Sequence, residues 1–83
     1  MIVEIKTDLS VDDVDEFLEK MAIIRQQMDG RGDNRKLVGM VAGRVVHENE
    51  LRYAQKKGFF VLVQNGDSVD IAAAPNGFKA REW

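Results

Sequence analysis

The spacing of apolar residues in the first half of the chain predicts a strand followed by a helix. Residues 2–6 alternate as a short strand, and turn-forming residues follow it. Ser10, with Asp13 three positions later, is typical of a helix N-cap. The helix is expected to end near Met28, where a glycine-containing loop begins. Its apolar residues recur at helical spacing: Val11, Val14, Phe17, Leu18, Met21, Ile24 and Met28.

A nearly continuous apolar run follows at residues 37–46. Such a run is typical of a strand that is covered on both faces, as in a parallel sheet. Gly39 and Gly43 interrupt it, which indicates either a close approach of a helix or a bend.

The next segment predicts a helix and a hairpin. The helix covers residues 48–57, and Gly58 is well placed as its left-handed cap. Apolar strands are expected at residues 59–64 and 68–72, and Asn65-Gly66 between them is a strong hairpin signal.

From Ala73 onward the pattern is irregular, and we expect this segment to dock through Phe78 and Trp83. The resulting order is strand, helix, strand, helix, hairpin. This order predicts an α/β fold with a small mixed sheet, in which two parallel crossovers are followed by an antiparallel edge. Residues 1–83 are expected to form a single domain with a marginal core.

Composition narrows the class of protein. The 45% hydrophobic and 31% charged content is typical of a globular protein. No segment approaches the ~20 apolar residues of a membrane span, so no membrane partner is expected. The N-terminus has Glu4 where a signal peptide would be basic and apolar, which favours a cytoplasmic location. The absence of cysteine excludes disulfides and thiolate metal sites.

The net charge of −2 is unevenly distributed. Residues 1–20 carry two basic and seven acidic side chains, and the remainder carries ten basic and seven acidic ones. A basic half of this kind could face nucleic acid, although it is more often a solvated surface.

Glu4 and Lys6 are the candidate catalytic residues. They are two positions apart on the predicted strand, so both point to one face. A carboxylate that holds a divalent cation, beside a lysine that stabilises charge on a phosphate, suits metal-assisted phosphodiester hydrolysis. The alternative is that Glu4 and Lys6 simply form the solvent-exposed face of an amphipathic edge strand.

Other conspicuous residues have structural explanations. His47 is expected at a surface or a helix start, and Arg31-Gly32-Asp33 in a flexible loop. Tyr53 and Trp83 could stack on bases, but packing is the simpler role for both. The internal methionines are expected to fill the core: Met21, Met28 and Met40.

Taken together, several segments resemble the second half of the PD-(D/E)XK nuclease motif and the tail of an uncharacterised bacterial branch of that superfamily. The first is the strand Val3-Glu4-Ile5-Lys6-Thr7 with the acidic helix after it. The others are residues 38–43, 52–62, 64–72 and 77–83, which give the resemblance most of its weight.

The resemblance implies a restriction-endonuclease-like core and magnesium-dependent hydrolysis of DNA. Glu4 would be the Mg²⁺ ligand, and Lys6 would orient or stabilise the attacking water. The family's preceding aspartate strand has no counterpart here, and Asp8 would lie roughly 13 Å from Glu4 along a continued strand. The chain is therefore expected to be inactive alone, either as a fragment of a longer protein, as one with a misassigned start, or as a natural remnant.

A second hypothesis is a non-catalytic binding or assembly module. The strand at residues 2–6 would then expose an unpaired edge. A homodimer joined there, or a partner chain that supplies a missing strand, would cover it.

Overall fold

Strands and helices alternate along the chain in the computed structural model, which describes all of residues 1–83. The elements are β1 Ile2–Asp8, α1 Val11–Gly30, β2 Gly39–Val45, α2 Glu48–Lys56, β3 Phe60–Asn65 and β4 Ser68–Ile71. The strands form one sheet in the order β1-β2-β3-β4. β1, β2 and β3 are parallel, and β4 is antiparallel to β3. The predicted α/β class and small mixed sheet are thus confirmed.

Both faces of β2 are buried, as predicted, but both helices cover the same face of the sheet, so the other face has no helical layer. The two crossovers step in one direction across the sheet, and connections of one hand then place both helices on one side. On the other face, Met40 and Ala42 are only 7% and 8% exposed because side chains of the flanking strands shield them. The continuous apolar run of β2 is therefore explained by its position between β1 and β3, and not by a second helical layer.

The core lies between the sheet and the two helices. Its ten buried residues lie between positions 9 and 61, and Ile2, Ala72 and Trp83 are among the partly buried residues that pack against them. The ten are Leu9, Val14, Phe17, Met21, Met28, Leu37, Val41, Ala54, Phe59 and Val61. The rings of Phe17 and Phe59 lie 4.8 Å apart at its centre. Gly39 belongs to this contact, since an added Cβ would lie 2.6 Å from the Phe59 ring. The close approach predicted from Gly39 is therefore made to aromatic rings.

A reciprocal cap begins α1, as predicted. The Asp13 amide donates to the Ser10 hydroxyl, and the Ser10 amide donates to the Asp13 carboxylate. These contacts, together with the nearby Lys6 ammonium, lower the pKa of Asp13 from its usual value. β1 runs two residues beyond its predicted end, because Asp8 pairs with Val45 of β2.

The hairpin between β3 and β4 is confirmed, but its turn is displaced by one residue. Asn65 and Ser68 pair directly, so the two turn residues are Gly66 and Asp67. Gly66 has a φ of +63°, whereas Asp67 does not have a positive φ, because only glycines do in this chain. This combination fits a two-residue turn with glycine at its first position. Gly58 has a φ of +92° after α2 and is the predicted left-handed residue.

The C-terminal segment docks as expected. Phe78 packs edge-on against Phe60, with ring centroids 5.5 Å apart. Trp83 exchanges two backbone hydrogen bonds with Leu37, at 2.8 and 3.2 Å. The Arg25 guanidinium donates to the carbonyl of Trp83 and to carbonyls of the loop after α1. Helix, loop and C-terminus are thereby held together.

Candidate functional site

β1 brings the predicted site residues together. Glu4 and Lys6 lie on the helix-covered face with Ile2, whereas Val3 and Ile5 are exposed on the opposite face. The prediction that the acid and the lysine share one face is confirmed. Their side chains are 23% and 36% exposed, so water and ions reach both.

Each charge already has an opposite charge close by within the chain. Lys20 on α1 donates to Glu4 over 3.0 Å. The Lys6 ammonium lies 3.7 Å from Asp13 and 3.9 Å from Glu4. Two acids and two bases therefore form a neutral cluster that ties β1 to α1, although partly exposed pairs contribute little to stability.

The residues of this cluster do not fit a magnesium ion. Glu4 is flanked by two ammonium groups, and Mg²⁺ prefers oxygen ligands that include one or two carboxylates. Asp8 lies in the same strand, four residues on, or roughly 13 Å along it. Nowhere in the chain do three His, Asp or Glu side chains converge as a possible metal site.

The opposite face of the sheet forms a second candidate site, which we call the open face. One row crosses all four strands, from Ile5 through Ala42 and Leu62 to Ile71. Neighbouring rows add Val3, Met40, Phe60 and Val69. Exposed apolar residues in contiguous rows mark an interaction surface more often than scattered ones do.

The exposed apolar residues of the open face lie on its two edge strands, whereas the central strands contribute the exposed polar residues Arg44 and Gln64. On β1, Val3 is 45% and Ile5 75% exposed; on β4, Val69 and Ile71 are each 58% exposed. Between them lies a shallow cavity of about 210 Å³, with Ile5, Leu62 and Val69 in its lining. The face is therefore concave at its centre and apolar at both rims.

The outer edge of β1 is also unpaired, because β1 has a neighbour on one side only. The Ile2 amide donates to Val38 across the β1–β2 pairing, over 2.9 Å. Backbone groups alternate in direction along a strand, so the amides and carbonyls of Val3, Ile5 and Thr7 point outward. Outward polar backbone beside an apolar face is the arrangement that accepts an added strand.

Sequence reasoning found the edge but missed the open face. The alternation of apolar residues at Val69 and Ile71, like that at Val3 and Ile5, could have predicted it. The open face was not predicted because the continuous apolar run of β2 indicated that both faces of the sheet are covered by other elements.

Several basic residues of the more basic part of the chain, residues 21–83, form hydrogen bonds or ion pairs within the chain. Arg25 binds backbone carbonyls and Asp29, and Arg35 pairs with Asp33 at 2.7 Å. The Arg35 guanidinium lowers the pKa of Asp33 to about 2. A groove of about 830 Å³ between α2 and residues 73–79 carries further cations, Arg52, Lys56 and Lys79. Arg52 is itself paired with Glu48.

The remaining sequence candidates have structural roles. His47 lies exposed at the start of α2, without a side-chain hydrogen bond to the helix. Arg31-Gly32-Asp33 lies in the turn and loop after α1. The Tyr53 hydroxyl donates to Asp15 over 2.6 Å, and this bond raises the pKa of the tyrosine. Trp83 packs beside Phe59 and under Arg81.

No protein-family model, curated protein sequence or solved structure gives a significant match to this chain. Neither helix combines the length and the apolar content that a membrane span requires.

Proposed function

We propose that this domain is a protein-association module, which accepts an added strand at the outer edge of β1 and so extends the sheet beside the exposed side chains of Val3 and Ile5. The observation that carries the proposal is the exposure of Ile5, 75%, on an unpaired edge strand. A docked strand would satisfy the outward amides and carbonyls of Val3, Ile5 and Thr7. It would also shield apolar side chains that are now in water.

Replacement of Ile5 by lysine tests this proposal. The side chain is mostly in solvent, so Ile5→Lys should leave the fold intact and weaken strand binding about tenfold, the cost of leaving one isoleucine unburied. The probe is a synthetic extended peptide of alternating valine and threonine, and its binding is measured from the NMR shifts of the β1 amides.

Ile23→Lys is the matched control, because Ile23 is 53% exposed on α1, away from the strand edge. It should bind the peptide as the unmodified chain does. At protein concentrations at which the chain is monomeric, a peptide that shifts no β1 amide, or one that binds Ile5→Lys with unchanged affinity, would contradict the proposal.

A second proposal is that the chain is part of a PD-(D/E)XK-like nuclease domain that hydrolyses phosphodiesters of DNA. It is favoured by the 3.9 Å separation of the charged groups of Glu4 and Lys6, on a strand whose outer edge has no neighbour in the sheet. Side chains of an added strand would lie about 5 Å from those of β1, so a carboxylate there could join Glu4. Magnesium and nucleic acid are partners in this proposal only.

The nuclease proposal is tested with the native protein, purified at its natural length and intact mass. Magnesium-dependent cleavage of DNA should fall about 100-fold or more in Glu4→Gln and in Lys6→Ala, because each change removes a group at the reacting phosphate. Glu16→Gln, on the exposed side of α1, should cleave normally. Equal cleavage by all four proteins would exclude the Glu4–Lys6 site.

A further inference from the structure

The order of side chains on β1 is self-complementary about Ile5. Reversing the direction of the strand around this residue exchanges Glu4 with Lys6, and Val3 with Thr7. We propose that the partner strand at this edge is β1 of a second copy of the chain, antiparallel to the first and related to it by a two-fold axis at Ile5. This inference rests on the proposed association function and specifies its partner and register.

The backbone of β1 suits this register. In an antiparallel pair, residues whose amides and carbonyls point toward the partner lie directly opposite one another and exchange two hydrogen bonds. Those residues on the outer edge are Val3, Ile5 and Thr7. With the axis at Ile5, each Ile5 faces its own copy, and each Val3 faces Thr7 of the second copy. Every outward backbone group from residue 3 to residue 7 then has a partner.

Charge selects this register from the others that the backbone allows. An axis at Ile5 sets Glu4 of each copy opposite Lys6 of the other, in the closer, non-hydrogen-bonded pairs. A shift of the axis to Glu4 would set the two Glu4 carboxylates against each other. A shift to Lys6 would oppose the two ammonium groups, and would bring Glu4 opposite Asp8. An axis at Thr7 would also pair opposite charges, Lys6 with Asp8, but it would leave Val3 and Ile5 without partners inside the strand. Only the Ile5-centred arrangement pairs opposite charges and also gives every outward backbone group from residue 3 to residue 7 a partner.

The intramolecular ion pairs extend naturally into this dimer. Within each copy, Lys20 lies 3.0 Å from Glu4, and Asp13 lies 3.7 Å from Lys6. Pairing across the axis links these groups into two neutral rows, each running from Lys20 through Glu4 to Lys6 and Asp13 of the second copy. On the other side of the sheet, the two Ile5 side chains meet and each Val3 lies opposite Thr7 of the second copy, which makes the two open faces continuous. The result is an eight-stranded sheet.

Single cysteines test the register, because the chain contains none of its own. In the proposed dimer, two residues at position 5 have Cα atoms about 5.5 Å apart, which is within the range of a disulfide. Ile5→Cys should therefore form a covalent dimer about tenfold faster, on mild oxidation or with a short thiol cross-linker, than the exposed control Ile23→Cys.

Two further variants fix the pairing. Val3→Cys alone should cross-link poorly, since its own copies lie roughly 13 Å apart along the strands. A mixture of Val3→Cys and Thr7→Cys should cross-link rapidly, because these positions face each other. Circular dichroism of each variant checks that the fold is retained. All three positions are exposed, so the substitutions disturb no core contact.

The outcomes separate this inference from the function on which it rests. Ile5→Cys that cross-links no faster than Ile23→Cys overturns the second copy as partner, even if the valine–threonine peptide still shifts the β1 amides. Rapid cross-linking of Val69→Cys with slow cross-linking of Ile5→Cys would instead place the contact on the open faces, and also overturns it. If Ile5→Cys cross-links slowly and the peptide also shifts no β1 amide, both the dimer and the proposed association function are contradicted.

Discussion

Phe59→Ala is expected to lower the free energy of unfolding by about 3–5 kcal/mol. Phe59 is fully buried, lies 4.8 Å from Phe17 and stacks at 6.4 Å on Trp83. Its ring joins the first residue of β2, the helix α1 and the C-terminus, so truncation would leave a cavity between three parts of the fold. A chain of 83 residues has a total stability of about 4–12 kcal/mol, so the variant should be close to unfolded.

Urea unfolding followed by circular dichroism measures this effect. The control is Val69→Ala on β4, where the side chain is 58% exposed, and we expect a change within about 0.5 kcal/mol. A loss below about 1 kcal/mol for Phe59→Ala would mean that the core closes over the missing ring, and that the aromatic contacts do not hold the C-terminal segment.

Gly58→Ala is expected to cost about 2–5 kcal/mol, for two reasons that act together. The residue has a φ of +92°, which an L side chain adopts only with strain. An added Cβ would also lie 2.5 Å from the Cβ and 2.8 Å from the amide nitrogen of Arg81. Arg81 donates its amide to the Gly58 carbonyl over 2.9 Å, so relief of the overlap would break this link.

Gly66→Ala separates the two causes. Gly66 has a φ of +63° but no atom within 4 Å of an added Cβ. Its substitution should cost only the backbone strain, about 1–2 kcal/mol by urea unfolding. If the two variants lose the same stability, the contact with Arg81 is unimportant, and the C-terminal segment is free to move away from the end of α2.

The local pattern of the chain predicts most of its elements. The Ser10–Asp13 cap, the helical spacing of α1 and the glycine after α2 identify the helices to within two residues. These signals act between neighbours in sequence, where backbone geometry dictates which side chains and caps can meet. The pairing of Glu4 and Lys6 on one face follows from strand geometry for the same reason.

Features that depend on a distant part of the chain were harder to predict. The hairpin turn at Gly66-Asp67 is one residue from its sequence signal, because strand pairing across Asn65 and Ser68 sets the register. The ion-pair partners of Glu4 and Lys6 are carried by α1, and sequence spacing alone does not indicate that helix residues lie over this strand. The clamp of Arg25 on Trp83 joins residues 58 positions apart.

The sequence by itself therefore determined the α/β class, the element order and the composition of the apolar strands, because these depend on local periodicity and capping. Only the tertiary structure decided that both helices pack on one face, since that depends on the direction in which successive crossovers traverse the sheet. This choice buries Val41 and Val61 beneath the helices. It leaves Ile5 in water at the edge of an apolar sheet face, because a strand's alternate side chains cannot all face the single helical layer.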